Sequence, residues 1–188
     1  MESVGVDARE TLLDVSLQLW ADHGWRAVSL STACALAGLE EKDFSDEFPK
    51  DDDLLCEVFD ASTDVRASEV LVALESAEDG RSRWREAMKA YLRCLEDDPR
   101  HIAVMVEAIG SPILRTRRRS SYRGFAAVAA SQATRSSADP RETRFAAHFA
   151  LGGLTEITLA WLDPDTDVDR EMMLELGSRL FEECLNSA

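Results

Sequence analysis

The segment Gly24–Leu55, GWRAVSLSTACALAGLEEKDFSDEFPKDDDLL, decides how the chain is read. Its pattern predicts two short helices joined by a tight turn, with a longer helix starting just after. Ser29 is placed to cap the first, about Leu30 to Leu36, because its hydroxyl can accept an orphan backbone N–H. Ala37-Gly38-Leu39 makes the turn, and Gly38 supplies the left-handed backbone that ends a helix. The second helix is expected over about Glu41 to Glu47 and is closed by Pro49. Leu30, Ala33, Ala37, Leu39, Phe44 and Phe48 fall inward and form a small buried knot. The arrangement is a helix-turn-helix, a motif that normally lays its second helix in the DNA major groove.

The same stretch resembles the N-terminal domain of TetR-family transcriptional regulators. The resemblance rests on Arg9, Leu12-Leu13, Leu19-Trp20, Gly24, Ser29-Leu30, Ala33-Cys34, Gly38-Leu39, Phe44, Phe48-Pro49 and Leu54-Leu55, spaced as in the family without a gap. It implies an all-α chain with a helix-turn-helix head and a C-terminal helical domain that dimerises and holds a small molecule. The departures from the family pattern concern chemistry. Glu40 stands where Ser or Thr is usual, Ser45 where Tyr is usual, Glu47 where His or Tyr is usual, and Asp51 where Lys is usual. Between Glu40 and Asp53 eight acidic residues face only Lys42 and Lys50, a local charge of -6. DNA-binding surfaces gain affinity by neutralising phosphates, so a reading unit of this sign repels the duplex.

The whole chain has 188 residues and a net charge of -15, which argues against a general binder of nucleic acid or membrane surfaces. The excess is uneven: residues 1–60 carry a net -11 and residues 61–188 a net -4. Cys34, Cys56, Cys94 and Cys184 are far apart and form no CxxC pair, so they read as small apolar groups in a reducing cytoplasm. Residues 1–7 are acidic and unlike a signal peptide, and no apolar run approaches the roughly 20 residues that span a bilayer. A cytoplasmic location without membrane contact is expected.

The first helix is expected over about Asp7 to His23, stopped by Gly24. Asp51-Asp52-Asp53 occupies the first turn of a long helix to about Ser76, where carboxylates suit the helix dipole. The head is expected at 1–53 and the ligand and dimerisation domain at 54–188. Glu78-Asp79-Gly80 reads as a loop, followed by a helix from about Arg81 to Asp97. Asp98-Pro99, Ser111-Pro112 and Asp139-Pro140 each announce a helix by a capping residue before proline, giving helices over Pro99–Gly110, Pro112–Arg135 and Arg141–Leu162. From Phe145 to Leu162 the only polar side chains are His148, Thr155, Glu156 and Thr158, so this helix needs cover on both sides. The last helix, about Val168 to Asn186, carries Met172, Met173, Leu176, Leu180 and Phe181. Two such helices from each of two subunits make a four-helix interface, and the resemblance implies the same homodimer. The expected interface residues are Leu151, Leu154, Thr158, Trp161, Met173, Leu180 and Phe181.

Candidate DNA contacts, should the head bind DNA, are Arg26, Ser29, Thr32, Lys42, Ser45 and Lys50. The hydroxyls offer neutral phosphate hydrogen bonds, and Lys42 can reach a base edge. By resemblance a small apolar ligand is held among the C-terminal helices. Trp84, Met88, Tyr91, Met105, Glu107, Phe125, Phe149 and Trp161 are its candidate lining, although aromatics and methionines at this spacing also read as plain core. Glu107, if buried, needs a partner, and Arg123 or Arg144 is the expected one. The run Arg115–Arg123 reads as a solvated helix start. The alternating Asp163, Asp165, Asp167 and Asp169 lack the glycine and glutamate of a calcium loop. His23, His101 and His148 have no metal-ligand spacing, and no nucleophile elbow, phosphate loop or dinucleotide fingerprint appears. No enzyme activity, metal or cofactor is expected. The alternative to a DNA-binding regulator is a protein of this fold whose acidic head docks on a partner, or which serves as a ligand sensor.

Overall fold

The computed structural model describes residues 2–77, 80–132 and 139–187, and among the described residues there are helices and turns but no strand. Helix α1 (Glu2–His23) ends at Gly24, whose φ of 82° lies in the left-handed region. A 3-10 turn (Trp25–Ala27) leads to α2 (Leu30–Ala37). Ser29 caps α2 as the sequence predicts, its Oγ accepting the Thr32 N–H at 3.2 Å. Gly38 ends it at φ 69°, ψ 30°, with its N–H on the Cys34 carbonyl.

The next segment corrects an expectation. In place of a helix over Glu41–Glu47 there is a 3-10 turn at Glu41–Asp43, continued by turns to Glu47. The Phe48 N–H reaches back four residues to the Phe44 carbonyl at 2.8 Å, whereas Asp43, Phe44 and Glu47 reach back only three. Asp43, Ser45 and Asp46 are weak helix formers that compete for backbone groups, and Pro49 keeps Phe48 out of the helical region. What pins the segment is burial of Phe44 and Phe48.

Helix α3 (Asp51–Ser76) opens with the three aspartates, and two of them serve backbone donors. Asp51 Oδ1 accepts the Leu30 N–H at 2.8 Å, and Asp53 Oδ2 accepts the Lys50 N–H at 3.1 Å. After it come α4 (Gly80–Asp97), α5 (Arg100–Glu107), α6 (Arg115–Ser131) and α7 (Pro140–Leu162). Asp139 accepts the Arg141 N–H at 2.8 Å, the predicted cap of α7. Helix α6 starts a turn later than Ser111-Pro112 announces, because Ser111 Oγ takes the Leu114 N–H at 3.4 Å and closes a turn instead. The chain ends in α8 (Arg170–Met172), a π-helical turn (Met173–Gly177) and α9 (Ser178–Ser187), joined without interruption. The predicted loop at Glu78-Asp79 and the predicted end of α6 near Arg135 lie outside the described residues.

Two compact units result. One comprises Met1–Val65 with Asp97–Arg118, the other Arg66–Glu96 with Arg119–Ala188. The boundary expected at residue 53 therefore falls inside α3, and the head unit also recruits α5. Its core joins Leu12, Trp20, Ala33, Phe44, Phe48, Leu54, Val58 and Val104. Trp20 and Leu54 are fully buried, each worth roughly 2–3 kcal/mol of burial. The second unit packs Trp84 against Phe181, ring centroids 4.8 Å apart, together with Leu74, Ala147 and Leu185. A separate cluster there gathers Met88, Leu92, Met173 and Leu174, with Tyr91, Ile157 and Trp161 packed against it. The four cysteines, all among the described residues, form no disulfide.

Helix α7 corrects a second expectation. By length and composition alone this 23-residue helix could cross a membrane: its most apolar 18-residue window has a mean hydropathy of 1.3, and 22% of that window is buried within the chain. It also carries Arg141, Glu142, Arg144, His148 and Glu156.

Candidate functional site

The candidate DNA contacts all belong to the head unit. Arg26, Thr32, Lys42, Ser45 and Lys50 are exposed, and Ser29 is half-buried. Several already have local duties. The Arg26 guanidinium stacks 4.4 Å from the ring of Trp25. Ser29 Oγ, having accepted the Thr32 N–H, donates to Thr32 Oγ1 at 2.8 Å, and Ser45 Oγ donates to the Lys42 carbonyl. Lys42 Nζ sits 3.9 Å from Glu40 Oε2. Arg9, a cation near the same segment, is clamped by Glu47 at 2.7 Å and Glu57 at 2.5 Å, and those hydrogen bonds hold its guanidinium above the ordinary arginine value. The eight carboxylates between Glu40 and Asp53 are all exposed. The segment therefore exposes hydroxyls and two lysines among eight exposed carboxylates.

Glu107 belongs to this unit. Its Oε2 accepts the Trp20 indole N–H at 3.0 Å and the Trp25 backbone N–H at 2.9 Å. The expected arginine partner is thus replaced by two N–H donors. The positive φ of Gly24 is what calls for glycine there, and a Cβ would meet the same oxygen at 3.4 Å, in ordinary contact. The carboxylate of α5 ties down the turn that sets where α2 begins. Met105, on the same helix, also lies in the head unit.

In the second unit the predicted lining separates into three groups. Trp84 and Met88 are buried in the two apolar clusters, and Tyr91 is enclosed against the second of them. Phe125 is half-buried on α6. Phe149 points outward, 67% exposed. The expected interface divides similarly. Thr158 (0% exposed), Met173 (1%) and Phe181 (8%) are consumed by the unit's own core, whereas Leu180 is 48% exposed and Leu151, Leu154 and Trp161 are half-buried. The outward apolar residues include Phe145, Phe149, Met172, Leu176 and Leu180, with Leu71 and Val72 exposed on α3 and Gly152 and Gly153 exposed on the same helix as the two phenylalanines. Phe145, Phe149 and Gly152-Gly153 recur at helical spacing on α7, as Met172, Leu176 and Leu180 do along the last helix.

A polar row in the head resembles a catalytic one in composition. Ser62 Oγ lies 2.8 Å from His101 Nδ1, and His101 Nε2 lies 3.8 Å from Asp98 Oδ2. The serine is buried, and Asp98 is engaged by the Arg100 guanidinium at 2.7 Å, which holds its carboxyl below the usual range. A nucleophile needs substrate access and a carboxylate that orients its base, so this row ties α3 to α5 rather than performing catalysis. Among the described residues no group of three or more His, Cys, Asp and Glu is arranged to hold a metal.

No sequence-family model matches the chain, and no curated protein matches it in sequence. The backbone has the fold of TetR-family transcriptional regulators. It superposes on a member of that family from Streptomyces coelicolor with a TM-score of 0.72 at 23% identity, over 92% of this chain and 97% of that one. A TetR family transcription regulator from Marinobacter aquaeolei gives 0.66 at 17%, covering 98% of each. The fatty acid degradation regulator FadR from Bacillus halodurans gives 0.76 at 17%, over 93% of this chain and 94% of that one.

Proposed function

We propose that the chain is a cytoplasmic, homodimeric TetR-like transcriptional regulator whose DNA binding is set by a small molecule in the second unit. The observation that carries this reading is the head scaffold: a Ser29-capped α2, a left-handed Gly38 turn, and a following segment pinned by Phe44 and Phe48. Regulators of the same fold at matched length support it. The mechanism is a population shift, in which the effector favours a conformation whose paired heads no longer match successive major grooves. Thr32, Lys42, Ser45 and Lys50 then meet the duplex, with Ser29 and Arg26 at the edge. The outward face of Phe145, Phe149, Leu176 and Leu180 meets a second copy.

A second reading is favoured by one specific observation. The segment that should read bases is a 3-10 turn inside eight exposed carboxylates. On this reading the head has given up DNA and docks on a basic partner, or the protein is a ligand sensor alone. Gel retention of the purified protein on its own upstream intergenic DNA, against a scrambled duplex, separates the two. Specific retention at low salt that weakens as salt rises is the expected result. Absence of retention at low salt, where attraction to phosphate is strongest, transfers the assignment to the second reading.

A further inference from the structure

The head carries its charge unevenly. From Gly24 to Leu39 the only charged residue is Arg26, whereas the segment from Glu40 to Asp53 has a local charge of -6. Other cations of the head are engaged by carboxylates: Arg9 by Glu47 and Glu57, and Arg100 by Asp14 and Asp98. Lys42 has Glu40 beside it. Arg26 is exposed and rests on a neutral partner, its guanidinium carbon 4.4 Å from the centroid of the Trp25 ring. A guanidinium held against an aromatic face keeps its full charge and its N–H donors for a further acceptor, which one paired with a carboxylate does not.

What holds the Trp25 platform is a residue 82 positions away. Helix α1 closes with the Gly24 N–H on the Trp20 carbonyl at 2.8 Å, and the 3-10 turn Trp25–Ala27 follows. Inside that turn the Ala27 N–H reaches the Gly24 carbonyl at 3.0 Å and the Val28 N–H the Trp25 carbonyl at 3.3 Å. The Trp25 N–H opens the turn, where a backbone donor has no partner in its own helix, and it donates to Glu107 Oε2 at 2.9 Å. The same oxygen accepts the Trp20 indole N–H at 3.0 Å. One carboxylate from α5 thus joins the last turn of α1 to the residue whose ring carries Arg26. A three-residue turn has little cooperativity of its own, so its orientation depends on such an anchor. The Trp25 ring is half-buried against the head core, which fixes its other side.

We propose that Arg26 is the phosphate anchor of the head and that Glu107 is the residue positioning it, acting through the Trp25 turn. The inference rests on the DNA-binding reading above and deepens it: the backbone of the duplex is gripped at the approach to α2, outside the acidic segment. The guanidinium fork suits phosphate oxygens, and contacts of this kind set register rather than sequence preference. A carboxylate near a duplex ordinarily opposes binding. Glu107 favours it through the geometry it imposes on Trp25.

Fluorescence anisotropy of the full chain with its own upstream intergenic duplex, from about 50 to 200 mM salt, tests this. Arg26→Ala should lower the slope of log affinity against log salt by about one and weaken low-salt binding roughly tenfold. Glu107→Asp keeps the charge but is one methylene shorter, and it should lower the slope as Arg26→Ala does. Glu107→Gln removes the charge but keeps the reach, and it should retain the parent's slope. Adding Arg26→Ala to Glu107→Asp should cost nothing further, because the two act as one unit. An unchanged slope in Glu107→Asp, or tighter binding by Glu107→Gln, overturns the positioning role. If Glu107→Asp does not fold, Trp25→Leu, which keeps the backbone N–H and removes the ring, takes its place, and an unchanged slope there overturns it equally. A parent that binds with the slope of Arg26→Ala overturns the anchor alone. A parent that does not bind DNA at low salt overturns the DNA-binding reading as well.

Discussion

The two compact units are built in opposite senses. The head gathers its aromatic residues Trp20, Phe44 and Phe48 inside with Leu54, leaves the aliphatic Leu36, Val65, Val106 and Ile109 in water, and turns its carboxylates outward. The second unit places Phe145, Phe149, Leu176 and Leu180 on its surface while enclosing Arg66, Tyr91 and Thr158. A domain with bare phenylalanines on its surface presents an apolar patch of the kind that marks an interaction site. The difference teaches that the head's interest lies in its surface charge, whereas the second unit's lies in what completes it.

The largest effect is expected where the second unit is least finished. Replacing Phe145 and Phe149 by Glu places four carboxylates in the proposed two-fold face. The dimer dissociation constant should rise by about a hundredfold or more, read by sedimentation equilibrium, with the monomer fold intact by circular dichroism. Unchanged association removes the surface from the account.

The head should break differently, from inside. Glu107→Ala strands the part-buried Trp20 and Trp25 N–H donors, costing about 2 kcal/mol, the lower end of the loss for two unsatisfied donors because both are only part-buried. Glu107→Gln keeps an acceptor oxygen and should lose less. Urea unfolding followed by tryptophan fluorescence measures both, and equal losses for the two variants contradict the hydrogen-bond account.

Surface charge sharpens the comparison from the other side. Glu40→Lys, Glu41→Lys and Asp46→Lys together take the reading segment from -6 to neutral without touching the clamp on Arg9. Non-specific DNA affinity at low salt should rise by roughly tenfold, with a steeper salt dependence. An unchanged salt slope shows that this face does not meet the duplex.

The smallest effect concerns pH. The Arg100 hydrogen bonds depress the Asp98 carboxyl in the folded state, so the stability they supply is present above the ordinary aspartate value of about 4 and is lost as pH falls below it. Asp98→Asn should therefore be slightly less stable than the parent at neutral pH and converge with it in acid, within about 1 kcal/mol because the pair is partly exposed. Melting curves across pH 3–7 check this; a constant gap between the two proteins contradicts it.

Much of the scaffold was legible in sequence, because caps and turns are local chemistry. Ser29, Gly38 and Asp139 act where their residue types predict, and α3 has the bounds its aspartates and apolar spacing implied. The phase of the apolar helices was not legible. On α7, apolar almost all the way round, periodicity cannot distinguish the face of Phe145 and Phe149 from that of Ala147 and Ala150. In the last helix the π-helical turn at Met173–Gly177 inserts extra backbone and rotates α9 about its axis, so that Phe181 goes inward while Leu180 stays out. Glu107 and Arg66 were illegible for another reason: their partners are 82 or more residues away for the first, and contributed by α4 and α6 for the second. Nothing local marks such pairings.

Sedimentation velocity of the full chain at tens of micromolar reaches the central claim most directly, since it asks whether the second unit is completed by a second copy. The account predicts a single species of twice the 20.9 kDa chain mass. A species at the chain mass alone, with Phe145 and Phe149 left in water, would contradict it.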